Sequence, residues 1–532
     1  MLHTSYARRG MVTAPHALAA QAGAAVLREG GNAVEAMIAA AATCAVVYPH
    51  MNGLGGDGFW LISEPGRPVV SIDGSGAAGR RAAPETYRAE GLNAVPSVGP
   101  LSCATVAGTL SGWQSALELS ARWEGRLGLA RLLEDAVWHA REGAAVSAAE
   151  ARSLARRREV LARQPGFAAL FLNADGSAPA EGTLRKNPAL AQTLESLARD
   201  GLDDFYRGGI GRAVAADLAA AGAPVTADDL ARHRSIRRRP LSLGLDGCTV
   251  YNTPPPTQGL ASLMILGLYE RLRVPAEQAE RFAHIHGLIE ATKLAFRVRN
   301  THIADPGAMQ VHATTFLSDH LLDRLAAEVA PKRAMPWPLP ALSGDTVWMG
   351  CVDGQGRAVS FIQSLYHAYG SGVVLPETGL VWHNRGIAFD FDAESPRFLS
   401  PGRKPFHTLS PALARFRDGR VMVYGTMGGD GQPQTQAALF TRYALYGQGL
   451  QAAVTAPRWA LGRSYEGESR DVKVERRMDP GVIAALEHAG HTIGLVEPFD
   501  DLMGHAGAIV LRPDGVMEGA ADPRSDGCVA GY

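Results

Sequence analysis

The chain of 532 residues is 46% apolar and 20% charged, the balance of an ordinary globular protein, and is long enough for two domains or one large layered unit. A formal net charge of −1 gives no electrostatic case for nucleic acid or an anionic membrane as partner. Five widely spaced cysteines without a CxxC pair argue against a disulfide framework or a zinc ribbon.

The N-terminal MLHTSYARRGMVTAPH has basic residues but no apolar stretch behind them, unlike a signal peptide. The longest apolar run, 36–48, is too short to span a bilayer. Both features point to the cytoplasm. Residues 14–48 are predicted helical, broken at Gly30-Gly31-Asn32, where glycine stops one helix and asparagine caps the next. Residues 59–63 and 68–72 look like strands, and 106–220 reads mostly as helices with glycine-rich breaks. A short strand over 249–252 runs into Pro254-Pro255-Pro256, and an amphipathic helix over 280–301 closes at Asp305-Pro306. Stretch 331–344 holds four prolines and little periodicity, as expected of a linker or mobile loop. Residues 346–366 then read as a hairpin with Asp353-Gly354 in its turn. Further strand-like runs lie at 379–383, 411–416, 421–425 and 507–512. Helices dominate before about residue 345 and strands after it.

Most motif-like stretches have plainer explanations. Gly53 to Gly58 matches GxGxxG, but a helix precedes it and a strand follows, the inverse of a dinucleotide site. Gly209 to Ala215 opens a helix without the acidic partner such a site needs. The basic run Arg232 to Arg239 has no interleaved aromatics and reads as a solvated face. His284 and His286 point to different helix faces. There is no HExxH, GxSxG or SxxK.

What remains is Ser343-Gly344-Asp345-Thr346, where the proline-rich stretch meets the hairpin. A threonine hydroxyl is a weak nucleophile and needs a base. Cleavage before Thr346 would place an α-amine, of intrinsic pKa near ~8, beside that hydroxyl. One residue would then supply both nucleophile and base. The glycine-rich Gly425 to Gly431 follows a strand and offers backbone N–H groups for an oxyanion.

Together these segments resemble the γ-glutamyltransferase family over nearly the whole chain. Gly30 to Ala36 is similar to its GGNAVDA segment, Pro254 to Gly259 to its PPPSSGG stretch, and Asp522-Pro523-Arg524 to its C-terminal tail. The resemblance implies an α/β (α+β) four-layer αββα Ntn-hydrolase sandwich. It implies a precursor that cuts itself between Asp345 and Thr346 into a large subunit (1–345) and a small one (346–532), which stay together as a heterodimer. Thr346 falls at the catalytic threonine, Ser364 where a second threonine often stands, and Gly428 and Gly429 at the oxyanion pair. No metal or organic cofactor is implied.

The pocket departs from the glutathione-using members. Ser75 stands where they carry an arginine, Tyr366 replaces an asparagine, Arg385 and Ala388 replace a glutamine and an aspartate, and His407-Thr408 replaces paired serines. Losing the aspartate and gaining Arg385 suits an acid without an ammonium group. The candidate substrate contacts are Arg385, Tyr366, His407, Thr408, Ser75 and Asp430. This pattern resembles the oxamate amidohydrolase branch, which releases ammonia from a small amide-acid in purine-nitrogen catabolism. A γ-glutamyl hydrolase or transpeptidase and a non-catalytic homologue stay open as alternatives.

Overall fold

The computed structural model describes residues 3–123, 125–337, 344–462 and 469–532; within the proline-rich stretch, 338–343 lie outside the described residues. Two seven-stranded sheets face each other across an apolar interior. One runs Cys528–Gly531, Gly10–Ala14, Asp345–Asp353, Ala358–Tyr366, Asp57–Ser63, Val70–Gly74, Ile236–Arg238. The other runs Ser5–Ala7, Met517–Ala521, Ala506–Leu511, Val421–Thr426, Ala412–Phe416, Cys248–Asn252, Leu241–Leu245. Helices Ala17–Arg28, Ala33–Val47 and Thr109–Ser120 cover the first sheet. Gly259–Arg271 and Gly431–Phe440 cover the second, with Phe282–His302 packed on both. The result is an αββα sandwich. Each sheet takes strands from both sides of residue 345, so neither stretch could complete a sheet alone.

Strand Asp345–Asp353 illustrates how the sequence selects layers. Val347, Met349 and Cys351 join the core beneath the helices, whereas Trp348 and Val352 join the core between the sheets. That is the two-residue period of a strand. Because both faces are covered, the strand is apolar nearly throughout. Helix Ala33–Val47 is buried at every position. It opens on a reciprocal cap: the Asn32 side chain accepts from the Val34 and Glu35 N–H groups, and the Glu35 carboxylate accepts from Asn32 N at 2.8 Å.

The C-terminal tail is held by charge. Arg524 donates to Glu475 (2.6 Å) and Asp522 (3.0 Å), Asp522 also pairs with Arg458 at 2.5 Å, and all four are buried. The Asp-Pro-Arg motif therefore ties Met517–Ala521 to the strand Val472–Glu475. The five cysteines are unpaired. Among the described residues, no helix is long and apolar enough to cross a membrane.

Candidate active site

Thr346 lies at the start of a central strand and is 1% exposed. Register is irregular there: Asp345 pairs with Tyr366 and Val347 with Gln363, leaving two residues opposite one. Such a bulge re-aims side chains. Tyr366 closes it in the left-handed region, φ 81°, a conformation that costs a non-glycine residue about 1–3 kcal/mol. Thr346 Oγ1 donates to Ser364 Oγ at 3.3 Å. Ser364 Oγ donates to the Asp345 carbonyl at 2.5 Å and accepts from Tyr366 N at 2.7 Å. Two hydroxyls and the carbonyl of the peptide bond preceding Thr346 thus form one hydrogen-bonded chain, able to pass a proton from end to end.

The glycine-rich turn Gly53 to Gly58 supports this corner. A Cβ on Gly56 would lie 2.2 Å from the Ser364 carbonyl oxygen, so glycine lets the turn pass directly against the Ser364 backbone. The pattern read as an inverted nucleotide loop is a close-approach turn.

From the opposite sheet, strand Val421–Thr426 ends in the loop Met427 to Asp430. Gly428 (φ 119°) and Gly429 (φ 53°) both take left-handed conformations. Their N–H groups have no hydrogen-bond partner among the described residues. The loop lies beside the strand that Thr346 opens: a Cβ on Gly344 would be 3.6 Å from Gly429 Cα and 2.9 Å from the Tyr366 ring.

Arg385 lies over the Tyr366 ring, its guanidinium carbon 3.5 Å from the centroid. It is 1% exposed. Its only hydrogen bonds among the described residues are long ones, to Phe406 O and Thr408 Oγ1, both 3.3 Å. No carboxylate pairs with it there. Burial pushes its pKa down to about 10, which leaves it cationic at neutral pH. His407 is buried, with neither ring nitrogen hydrogen-bonded among the described residues. Burial and the nearby Arg385 hold its pKa well below 6.5, so it is neutral. Asp57 lies between two imidazoles, 3.2 Å from His383 Nδ1 and 3.7 Å from His407 Nε2.

The structure thus brings Thr346, Ser364, Tyr366, Arg385, Thr408 and the two glycines together. Two other candidates are engaged elsewhere. Ser75 gives its hydroxyl to Asp73 at 2.6 Å, and Asp73 pairs with Lys404 at 2.8 Å. Asp430 forms a two-pronged pair with Arg299, at 2.7 and 3.0 Å. Arg299 and His383 carry no local signal in the sequence; Gln258 and Asp57 lie within the Pro254 to Gly259 and Gly53 to Gly58 stretches, but their partners are remote in the chain, so the pattern does not say what they touch. The basic run behaves as a structural face, with Arg232 on Asp228 and Arg237 on Glu118.

The family model for gamma-glutamyltranspeptidase matches residues 19–532. The chain belongs to the gamma-glutamyltranspeptidase family. Among relatives, the oxamate amidohydrolase proenzyme of Klebsiella pneumoniae subsp. pneumoniae is 52% identical over 533 residues, covering 100% of both chains. The glutathione hydrolase proenzyme of Escherichia coli is 28% identical, over 100% of this chain and 93% of its own. The crystal structure of cephalosporin acylase from Bacillus halodurans matches with a TM-score of 0.89 at 32% identity, covering 100% of this chain and 97% of that one. This gamma-glutamyltranspeptidase-family protein has the Ntn-hydrolase fold and is an amidohydrolase.

Proposed function

We propose that this enzyme cuts itself between Asp345 and Thr346, and that Thr346 then hydrolyses the amide bond of a small amide-acid such as oxamate. The observation that carries the reading is the hydrogen-bonded chain from Thr346 Oγ1 through Ser364 Oγ to the Asp345 carbonyl. In maturation, Thr346 Oγ attacks the Asp345 carbonyl carbon. Its proton passes to Ser364 Oγ, and the Ser364 proton passes to the carbonyl oxygen. Collapse breaks the C–N bond, protonates the new Thr346 amine and leaves an ester. Water opens the ester, giving the Asp345 carboxylate and free Thr346.

In turnover, the Thr346 amine takes the proton of its own hydroxyl as Oγ attacks the substrate amide. The Gly428 and Gly429 N–H groups hold the oxyanion. Ammonia leaves with the proton from the amine, and water hydrolyses the acyl-threonine to the free acid. Arg385, with Thr408, binds the substrate carboxylate, and Tyr366 limits the length of the acyl group. A γ-glutamyl substrate needs an anion for its ammonium group. Here Asp430 is held by Arg299, and Ala388 stands at the position of the family's aspartate. The 52% identity to an oxamate amidohydrolase proenzyme supports the same choice.

Side-by-side assay of the processed protein tests this choice. Ammonia release from oxamate should exceed cleavage of a γ-glutamyl anilide by at least about tenfold in kcat/KM, a gap of ~1.4 kcal/mol. Preference for the anilide would assign the enzyme to γ-glutamyl chemistry and refute the role given to Arg385.

A further inference from the structure

A catalytic loop built on two adjacent glycines has no intrinsic reason to hold one conformation. Its carbonyls, however, are all engaged. Met427 O accepts from Thr426 Oγ1 (2.8 Å), Gly428 O from Gly431 N (2.8 Å), and Gly429 O from Gln258 Nε2 (2.8 Å) and Gln432 N (3.2 Å). Each peptide is planar, with its N–H opposite its C=O. Met427 O and Gly428 O share their peptide planes with the Gly428 and Gly429 N–H groups, so pinning them fixes where those groups point, while Gly429 O, in the plane of Asp430 N–H, anchors the far end of the loop.

One end of this clamp converges on a single side chain. Arg299, on helix Phe282–His302, is 1% exposed, and its guanidinium lies 3.8 Å over the Phe296 ring. Nη1 donates to Gln258 Oε1 (2.8 Å) and Asp430 Oδ1 (2.7 Å), Nη2 to Asp430 Oδ2 (3.0 Å), and Nε to Asn300 Oδ1 (2.8 Å). Gln258 Nε2 donates both to Gly429 O and to Thr408 O (2.6 Å). Thr408 is the residue whose hydroxyl meets Arg385. One guanidinium thus joins the glycine loop to the carboxylate cradle. A buried ion pair is a costly way to fill space, since apolar side chains of similar volume often serve stability as well or better. What the pair adds is directed geometry.

We propose that Arg299 and Gln258 are positioning residues: Arg299 locks Asp430 and Gln258, which anchor the Gly429–Asp430 peptide at the far end of the loop and so keep the preceding Gly428 and Gly429 N–H groups on the reacting carbonyl. The inference rests on the proposed role of those glycines, and it extends to self-cleavage if the same donors serve both reactions. Small displacements of oriented groups cost large factors in rate.

The test compares Arg299→Lys and Gln258→Met with wild type, using oxamate as probe and normalising to the amount of processed fragment 346–532. Lysine keeps the charge but cannot bridge Asp430 and Gln258 with a rigid fork. Arg299→Lys should lower kcat about 10- to 100-fold with KM within about threefold. Gln258→Met should lower kcat comparably and also raise KM, because Thr408 is released. Lys293→Met, which breaks the buried Glu290 pair on the same helix (2.7 Å), should leave kcat per processed site unchanged. If Arg299→Lys does not fold, Gln258→Met carries the test. Unchanged kcat per processed site with a lowered melting temperature would overturn the inference and leave a purely structural network. Wild type that neither splits nor releases ammonia would instead refute the proposed function, and the inference with it.

Discussion

Thr346→Ala is expected to remain a single polypeptide and to lose amide hydrolysis by about 10³-fold or more, since oxyanion donors and binding alone retain only a residue of rate enhancement. The fold should survive. The substitution removes one hydroxyl whose only side-chain hydrogen bond among the described residues is the 3.3 Å contact to Ser364, worth about 0.5–1.5 kcal/mol. The neighbouring Val347 and Met349 stay in the core beneath the helices. Melting within a few degrees of wild type, together with loss of both cleavage and turnover, separates chemistry from folding. Thr346→Ser keeps an Oγ and an α-amine and should retain cleavage and part of the activity. Electrophoresis and ammonia release measure both outcomes. Full activity in Thr346→Ala would remove the threonine from the mechanism.

Arg385→Met should lower kcat/KM for oxamate about 10²- to 10³-fold, corresponding to ~3–4 kcal/mol of charge-assisted bonding to the carboxylate. The same substitution should raise the melting temperature of the ligand-free protein or leave it unchanged. Arg385 is a buried cation with two long hydrogen bonds and no carboxylate partner among the described residues. Burial has already pushed its pKa down, the signature of a charge deprived of solvent. Such a group costs folding energy that an apolar side chain would not. Opposite signs for affinity and stability are what a binding residue produces and a structural one does not. A drop in melting temperature without loss of kcat/KM would assign Arg385 to structure.

Several parts of this site were legible in the sequence because they are local. The Asn32 cap lies next to the helix it opens, and the 345–366 hairpin carries its own turn, where Asp353 Oδ1 accepts from Gln355 and Arg357 N–H. The junction at Thr346 is marked in the sequence because the proline-rich stretch meets the first strand of that hairpin there. Of the two strands flanking the hairpin, Asp57–Ser63 is legible in the sequence, whereas Gly10–Ala14, and Cys528–Gly531 beyond it, are not. Gly10–Ala14 is buried at every position, so no alternation marks it, and Cys528–Gly531 is short and without a distinct pattern. Ile236–Arg238 was hidden in a run of charge, because an edge strand can be covered with arginines. The environments of Ser75 and Asp430 depend on contacts that sequence position does not encode. Lys404 reaches Asp73 across 331 positions, and Arg299 reaches Asp430 across 131. Substitution patterns could mark these residues as different from their relatives' but could not say what each one touches.

Intact-mass spectrometry of the folded wild-type protein tests the central claim most directly. Two polypeptides are expected, 1–345 and 346–532, the second beginning with a free threonine amine, and a quench during oxamate turnover should leave an acyl group on the second fragment alone. A single 532-residue chain that still hydrolyses oxamate would contradict the account, because the Thr346 nitrogen would remain an amide and could not serve as the base.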